Sequence, residues 1–156
     1  MITIETPGMK KLEAEHLVLD YNGTLAIDGK IIPGTKPLLE MLSSQINIHI
    51  LTADTFGTSK LELAEINCEL EIIDKDMQDV HKEIYVDQLV QEKVIAIGNG
   101  ANDALMLAAA GLGILVIQKE GASVKTLMNA DIVCNSIVDA LELLTNPLRI
   151  VATLRK

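Results

Sequence analysis

The sequence predicts an α/β protein built as a three-layer, doubly wound, mostly parallel sheet, and three observations predict it. Short apolar runs rich in β-branched residues recur along the chain, at Leu17–Asp20, Ile46–Thr52, Leu70–Ile73, Val94–Ile97, Ile114–Ile117 and Ile132–Val133. They are apolar on both faces, as central parallel strands are. Between them lie amphipathic or apolar stretches of helical length, separated by glycine and proline signals such as Pro33-Gly34, Thr55 to Gly57, Gly98 to Gly100, Gly111 to Gly113 and Asn146-Pro147. Alternating βα units of this kind imply right-handed crossovers.

In chain order, the first element is a candidate hairpin at the sheet edge, "ITIE" (Ile2–Glu5) pairing with "KKLEAE" across Pro7-Gly8. The strand Leu17–Asp20 follows, then "AIDGKII", in which Asp28-Gly29 between apolar flanks signals a two-residue hairpin turn. That places a short β-flap over the mouth of the sheet. Helices are expected over Lys36–Ser44, Thr58–Glu65, Val80–Gln91, Asn102–Ala110, Ala122–Met128 and Ser136–Leu144. No linker, repeat or low-complexity segment divides residues 1–156, so a single domain is expected, large enough to bury a substantial core.

Composition excludes several classes. The formal net charge is −9 and the aromatic content 2%, which leaves neither a basic track nor a stacking platform for nucleic acid. Mean hydropathy is +0.30. Even so, the longest apolar run, Ala104 to Ile117, is broken by glycines and shorter than the roughly 20 residues of a membrane span. The first residues, "MITIETPGMKKLEAEH", do not read as a signal peptide, so a cytoplasmic location without membrane partners is expected. Cys68 and Cys134 lack metal or CxxC spacing and read as reduced structural thiols. His16, His49 and His81 share no ligand spacing; His81 stands beside Lys82, with a place at the site as its minor reading.

Open α/β sheets bind ligands beyond the carboxyl ends of their strands. The first strand of the sheet delivers Asp20 there, and "INIHILTADT" delivers Thr52, with Asp54 and Thr55 just beyond. "DVHKEIYVDQLV" opens a helix carrying Lys82, and "VIAIGNGANDALML" ends in a glycine turn followed by Asn102 and Asp103. Taken singly, each has a plain reading: a cap for Asp20, a strand-end hydroxyl for Thr52, a solvated lysine for Lys82, a helix-dipole partner for Asp103. Taken together, they match phosphoryl transfer. A carboxylate attacks phosphorus covalently, and a cation between Asp20 and Asp103 neutralises the approach. Thr52 donates to an equatorial oxygen while Lys82 balances the transition-state charge. Backbone N–H groups of the "NGT" turn are expected to complete the cradle.

These residues resemble a family. Asp20-Tyr21-Asn22-Gly23-Thr24-Leu25, Thr52, Lys82 and Gly98-Asn99-Gly100-Ala101-Asn102-Asp103 are similar to the four motifs of the haloacid dehalogenase (HAD) superfamily, in that order. "GNGANDALML" most resembles the phosphorylation domain of P-type ATPases, and the whole chain resembles the small soluble phosphatases related to them. The resemblance implies a Rossmann-like core and a phosphatase acting through an aspartyl-phosphate on Asp20. It also implies Mg²⁺ held by Asp20, the backbone carbonyl of Asn22, the position of Asn99, and Asp103 directly or through water. Thr52 and Lys82 would hold the phosphoryl group.

Two departures stand out. Many superfamily phosphatases carry an acid where this chain has Asn22; that acid protonates the leaving group and activates water, and an amide does neither. Asn99 replaces the usual metal carboxylate. P-type ATPases also lack the acid and still form the phosphoenzyme. No full cap domain fits between the motifs, so an uncapped, open site is expected, accepting a large phosphorylated substrate or covered by a neighbouring subunit of a homo-oligomer. A degenerate fold acting as a phospho-receiver or binding protein is the alternative. A dinucleotide fingerprint, Gly98-x-Gly100 with Glu120 downstream, is the weaker rival, because Asp103 stands where the third glycine belongs.

Overall fold

The computed structural model of the chain describes residues 1–53 and 57–156. Asp54 and Thr55 lie outside the described residues. In chain order the elements are β1 (Ile2–Ile4), β2 (Leu12–Ala14), β3 (His16–Asp20), β4 (Ala26–Ile27), β5 (Lys30–Ile31) and α1 (Thr35–Ser43). Then come β6 (Asn47–Thr52), α2 (Thr58–Glu62), β7 (Glu69–Ile72), α3 (Gln78–Gln88) and β8 (Val94–Gly98). A 3₁₀ turn over Ala101–Asp103 leads into α4 (Ala104–Ala109), followed by β9 (Leu112–Val116), α5 (Val124–Leu127), β10 (Ile132–Cys134), α6 (Ile137–Thr145) and α7 (Pro147–Leu154).

The main sheet has six strands in the order β10-β9-β8-β3-β6-β7, and each neighbouring pair is parallel. The chain moves from β3 outward to β6 and β7, then crosses back to place β8 on the other side of β3. Strand order therefore reverses between β3 and β8, and the crevice beyond their carboxyl ends is the topological switch point. Asp20 ends β3 and Gly98 ends β8, so both motifs open onto that crevice.

Period-two alternation assigns the two faces of the sheet. Leu17, Leu19, Ile48, Ile50, Ile95 and Ile97 are buried with residues of α1, α6 and α7 such as Leu42, Leu141 and Ile150. Val18, Leu51, Val94 and Ala96 are buried on the other face with Val86 of α3 and Met106 and Leu107 of α4. Each such aliphatic side chain contributes about 1.5–3 kcal/mol on full burial, and β3, β6 and β8 each bury several of them across both faces. β7 is an edge strand and reads accordingly, with Glu69, Glu71 and Ile72 exposed.

The flap is present: β4 and β5 pair antiparallel, and Asp28 (φ 52°) and Gly29 (φ 77°) both take the left-handed conformation of the favoured two-residue hairpin turn. The first hairpin differs from expectation. β1 and β2 form their own two-stranded sheet rather than joining the edge of the main one. The chain turns from β2 directly into central β3, and Glu15 between them exchanges backbone bonds with Lys93 and Asn47 on the two flanking strands' approaches. The hairpin thus extends the amino end of the central strand. Beyond Asn146-Pro147 the chain does not stop but starts α7, with Pro147 in the first turn, where its missing N–H costs nothing. Ile150 then fills the core. α2 and α5 are shorter than their apolar patterns suggest. Among the described residues, the segments after β3 and after β6 hold no inserted cap domain, and no helix is long and apolar enough to cross a membrane.

Candidate active site

The switch point concentrates charge that is otherwise kept on the surface. Asp20 is 6% exposed, Lys82 1% and Asp103 0%. Lys82 lies on α3 and sends its side chain across the crevice, so that Nζ donates to Asp20 Oδ1 and to Asp103 Oδ1, both at 2.6 Å. Asp103 reaches this point because Gly98 ends β8: a Cβ there would lie 2.5 Å from Asp103 Cγ. The other Asp103 oxygen, Oδ2, accepts the backbone N–H groups of Asn99 and Gly100, each at 2.9 Å.

Two buried carboxylates share one ammonium, and the protonation energetics follow. Burial, reinforced by the Asp103 charge, pushes the Asp20 carboxyl up to about 6, against the pull of Lys82 and the Thr24 hydroxyl. Burial also works against the Lys82 ammonium, but the Asp20 and Asp103 carboxylates outweigh it and hold Lys82 above its ordinary value. Lys82 is charged at any working pH, and the trio carries one surplus negative charge at neutral pH.

The predicted site residues converge. Thr24 Oγ1 lies 3.0 Å from Asp20 Oδ2 and 3.3 Å from Asn99 Oδ1, tying the first motif to the last. Asn22 is exposed, and its Nδ2 reaches to 3.5 Å from Oγ1 of Thr52, which ends β6 and is 2% exposed. Asn99, 7% exposed, donates from Nδ2 to the Gly121 carbonyl at 3.1 Å. Asp20, Asn22, Thr52, Lys75, Gln78 and Asn102 line a cavity of about 400 Å³, with Gly29 of the flap at its rim.

One expectation is corrected. The N–H groups of Gly23 and Thr24 do not face the cavity: Gly23 donates to Ala26 O at 2.7 Å and Thr24 to Tyr21 O at 3.3 Å, inside the turn. The turn closes on itself because Leu25 and Ala26 also donate to the Tyr21 carbonyl. His81 lines a different cavity, with Glu71, Ile73 and Tyr85. His16 and His49, far apart in sequence, meet across neighbouring β3 and β6 with Nδ1 and Nε2 2.9 Å apart. That contact depends on strand order, which no spacing rule reveals. The dinucleotide reading loses its phosphate cradle, since Asp103 occupies the Asn99 and Gly100 N–H groups.

Sequence reasoning also missed Gln118, Gln78 and the anchoring role of Thr24. Gln78 Oε1 accepts from Asn102 Nδ2 at 2.8 Å, one helical turn before Lys82 on α3. No sequence signal marks a glutamine that acts through tertiary contact.

The donor set suits a hard divalent cation. Among the described residues no group of three or more His, Cys, Asp and Glu side chains is arranged to hold a metal. Beside the Lys82 ammonium, the side-chain acceptors near Asp20 are oxygens: the Asp103 carboxylate on the shared Nζ and the Asn99 amide oxygen on the shared Thr24 hydroxyl. Oxygen ligands, few charges and room for water are what Mg²⁺ takes, and the Asp103 charge that adds to burial in raising Asp20 is what a cation would relieve.

No protein-family model matches the chain. It is 56% identical over 64 residues to the uncharacterized protein MJ0073 of Methanocaldococcus jannaschii, covering 41% of this chain and 69% of that protein. It is 51% identical over 39 residues to MJ0072 of the same organism, covering 25% of this chain and 89% of that one. Among solved structures, the cobalt-bound deoxy-D-mannose-octulosonate 8-phosphate phosphatase (YrbI) of Haemophilus influenzae matches with a TM-score of 0.72 at 13% identity, over 92% of this chain and 94% of that one. The 3-deoxy-D-manno-octulosonate 8-phosphate phosphatase of Moraxella catarrhalis, solved with magnesium, phosphate and KDO, matches at 0.69 and 16% identity, over 92% and 94%. A Streptomyces avermitilis protein assigned by name to the HAD family of hydrolases matches at 0.69 and 17%, over 93% and 90%. The chain therefore has the fold of the HAD hydrolases and belongs to one protein family with the two Methanocaldococcus proteins.

Proposed function

We propose that this chain is a Mg²⁺-dependent phosphohydrolase that works through an aspartyl-phosphate on Asp20, as a single HAD-like domain in the cytoplasm. The observation that carries this reading is the buried Asp20–Lys82–Asp103 trio at the switch point. A buried net charge is costly to keep and is a mark of functional sites. Asp20 is more basic than an ordinary carboxylate yet ionised at neutral pH, which suits a nucleophile.

In the first step an Asp20 oxygen attacks phosphorus and the ester P–O bond breaks, the leaving oxygen taking its proton from solvent water. Lys82, between the nucleophile and Asp103, offsets charge gathering on the phosphoryl oxygens, and the Thr52 hydroxyl donates to one of them. Asp103 keeps Lys82 aimed. Asp20, the Asn22 carbonyl, Asn99 and Asp103 (directly or through water) would hold Mg²⁺, which when bound neutralises the approach of two anions. In the second step water attacks the phosphoryl group, releasing Asp20 as carboxylate and free phosphate. Asn22 has no proton to give the leaving group and no basic site to activate that water. Hydrolysis of the phosphoenzyme is therefore the slow step, which agrees with the likeness of "GNGANDALML" to P-type ATPases.

A cavity of about 400 Å³ edged by Lys75, Gln78 and Asn102 favours a small polar phosphate ester. The open mouth leaves room for a second copy of the chain to cover it. A phospho-receiver with little turnover is the second reading, and Asn22 is the observation that favours it.

Beryllofluoride with Mg²⁺ tests the site without turnover. It should bind at Asp20 and raise the melting temperature by mass action, and Asp20→Asn should abolish the shift. No shift, or one that survives Asp20→Asn, overturns the reading.

A further inference from the structure

Gln118 follows β9 and holds φ at 51°, in the left-handed region that a side chain with a Cβ rarely adopts. Such strain persists only where surrounding contacts over-determine it. Here they do. Gln118 Nε2 donates to the Gly23 carbonyl and to the Thr24 carbonyl, both at 2.7 Å. Its Oε1 accepts the Ile137 N–H, at the start of α6, at 2.9 Å. Its backbone N–H donates to Asn135 O at 3.0 Å. The amide orientation is fixed by chemistry, since only the nitrogen can face two carbonyls and only the oxygen can face an N–H.

We propose that Gln118 is a positioning residue for the nucleophile: by clamping the Gly23 and Thr24 carbonyls to the head of α6, it fixes the turn whose Thr24 hydroxyl holds Asp20 Oδ2. The turn needs such a clamp. Its N–H groups are consumed internally on Ala26 O and Tyr21 O, while the Gly23 and Thr24 carbonyls face away with Gln118 as their side-chain donor. Gly23 itself has no slack, because a Cβ there would lie 2.6 Å from Asn99 Nδ2. The chain of bonds runs from α6 through Gln118 to the backbone at Thr24, and through the Thr24 hydroxyl to Asp20 at 3.0 Å. Lys82 fixes the other Asp20 oxygen. With both oxygens tied, the carboxylate has one orientation toward the cavity.

The proposal rests on Asp20 as the nucleophile, and its test separates the two. Gln118→Gly removes the clamp while relieving the strained backbone, so it retains or gains thermal stability. Gln118→Glu keeps the length and the acceptor for Ile137 but turns an ionised oxygen on two carbonyls; protonated at acid pH, it regains a donor. Para-nitrophenyl phosphate turnover and hydrogen exchange of the peptide spanning residues 20–26 are measured for the parent, both variants and Asp20→Asn. Gln118→Gly is expected to lose up to about 10²-fold in kcat/KM, which reads the step in which Asp20 attacks, the cost of a small misplacement, with exchange of the turn accelerated. For Gln118→Glu the activity relative to the parent should climb as pH falls. Parent-like exchange of the turn in a folded Gln118→Gly protein overturns the clamp, as does parent-like kcat/KM. If parent turnover equals that of Asp20→Asn, the nucleophile reading fails by itself, and the exchange measurement still decides for or against the clamp.

Discussion

Replacing Lys82 by Met keeps most of the buried stem and removes the charge, so it isolates what the ammonium does. Lys82 Nζ makes two bonds of 2.6 Å to carboxylates whose side chains are 9% and 0% exposed. Without it, two like charges face each other out of water. Breaking a buried ion pair by removing one partner costs about 3–5 kcal/mol. For a chain of this length each kcal/mol moves the melting temperature by about 2–4 °C, so the loss at pH 7.5 with chelator present is about 6–20 °C. The loss must also depend on pH. Asp20 already titrates near 6 with Lys82 beside it, and removing Lys82 takes away a positive charge and a hydrogen bond that hold it down, so the variant's Asp20 protonates more readily still. Acidification to pH 5 discharges one carboxylate and relieves the repulsion. The gap between parent and Lys82→Met should therefore narrow by at least half between pH 7.5 and pH 5, as read by thermal melts at fixed ionic strength. Added Mg²⁺ should narrow it too. A loss under about 1 kcal/mol, or one that is flat in pH, refutes the argument that Lys82 neutralises a buried pair.

Asp20→Asn gives a complementary result. The folded Asp20 pKa of about 6 lies above its ordinary 3.8. Its contribution to stability is thus complete below 3.8 and is lost as pH rises through 6, a loss of about 3 kcal/mol. In chelator, Asp20→Asn should be more stable than the parent above pH 6 and converge with it near pH 4; a difference independent of pH contradicts the raised pKa. Asn22→Asp should restore a proton donor and acceptor at the cavity and raise turnover of alkyl phosphates by about 10²–10⁴-fold. Aryl phosphates, whose leaving groups depart unaided, should gain less in the phosphorylation step, and no gain on any alkyl phosphate that the parent turns over means that Asn22 is not at the acid/base position.

The fold was legible because the central strands declare themselves. Leu17–Leu19 and Val94–Ile97 are apolar on both faces and bounded by turn residues, so their burial between two helix layers follows from composition. The convergence of Asp20, Thr52, Lys82 and Asp103 was legible through the switch-point rule once those strands were placed. What stayed hidden depends on contacts across the sheet. α7 is missing from the expected helices because Pro147 reads equally as a boundary and as a first turn, and only Ile150 in the core decides between them. The inward closure of the NGT turn depends on the Tyr21 carbonyl collecting three N–H groups, a geometry that "NGT" does not encode. Gln118 sits almost a hundred residues from the carbonyls it holds.

The central claim is that Asp20 takes the phosphoryl group, and acid-quench trapping measures it directly. The parent is mixed with para-nitrophenyl phosphate and Mg²⁺, quenched in acid, digested and analysed by mass spectrometry. Because Asn22 leaves the phosphoenzyme without a base to hydrolyse it, the intermediate should accumulate. The peptide carrying Asp20 should gain the mass of one phosphoryl group, lose it on treatment with hydroxylamine, and show no gain in Asp20→Asn. A label that persists in Asp20→Asn, or hydrolysis that proceeds at the parent rate in that variant, would contradict the account.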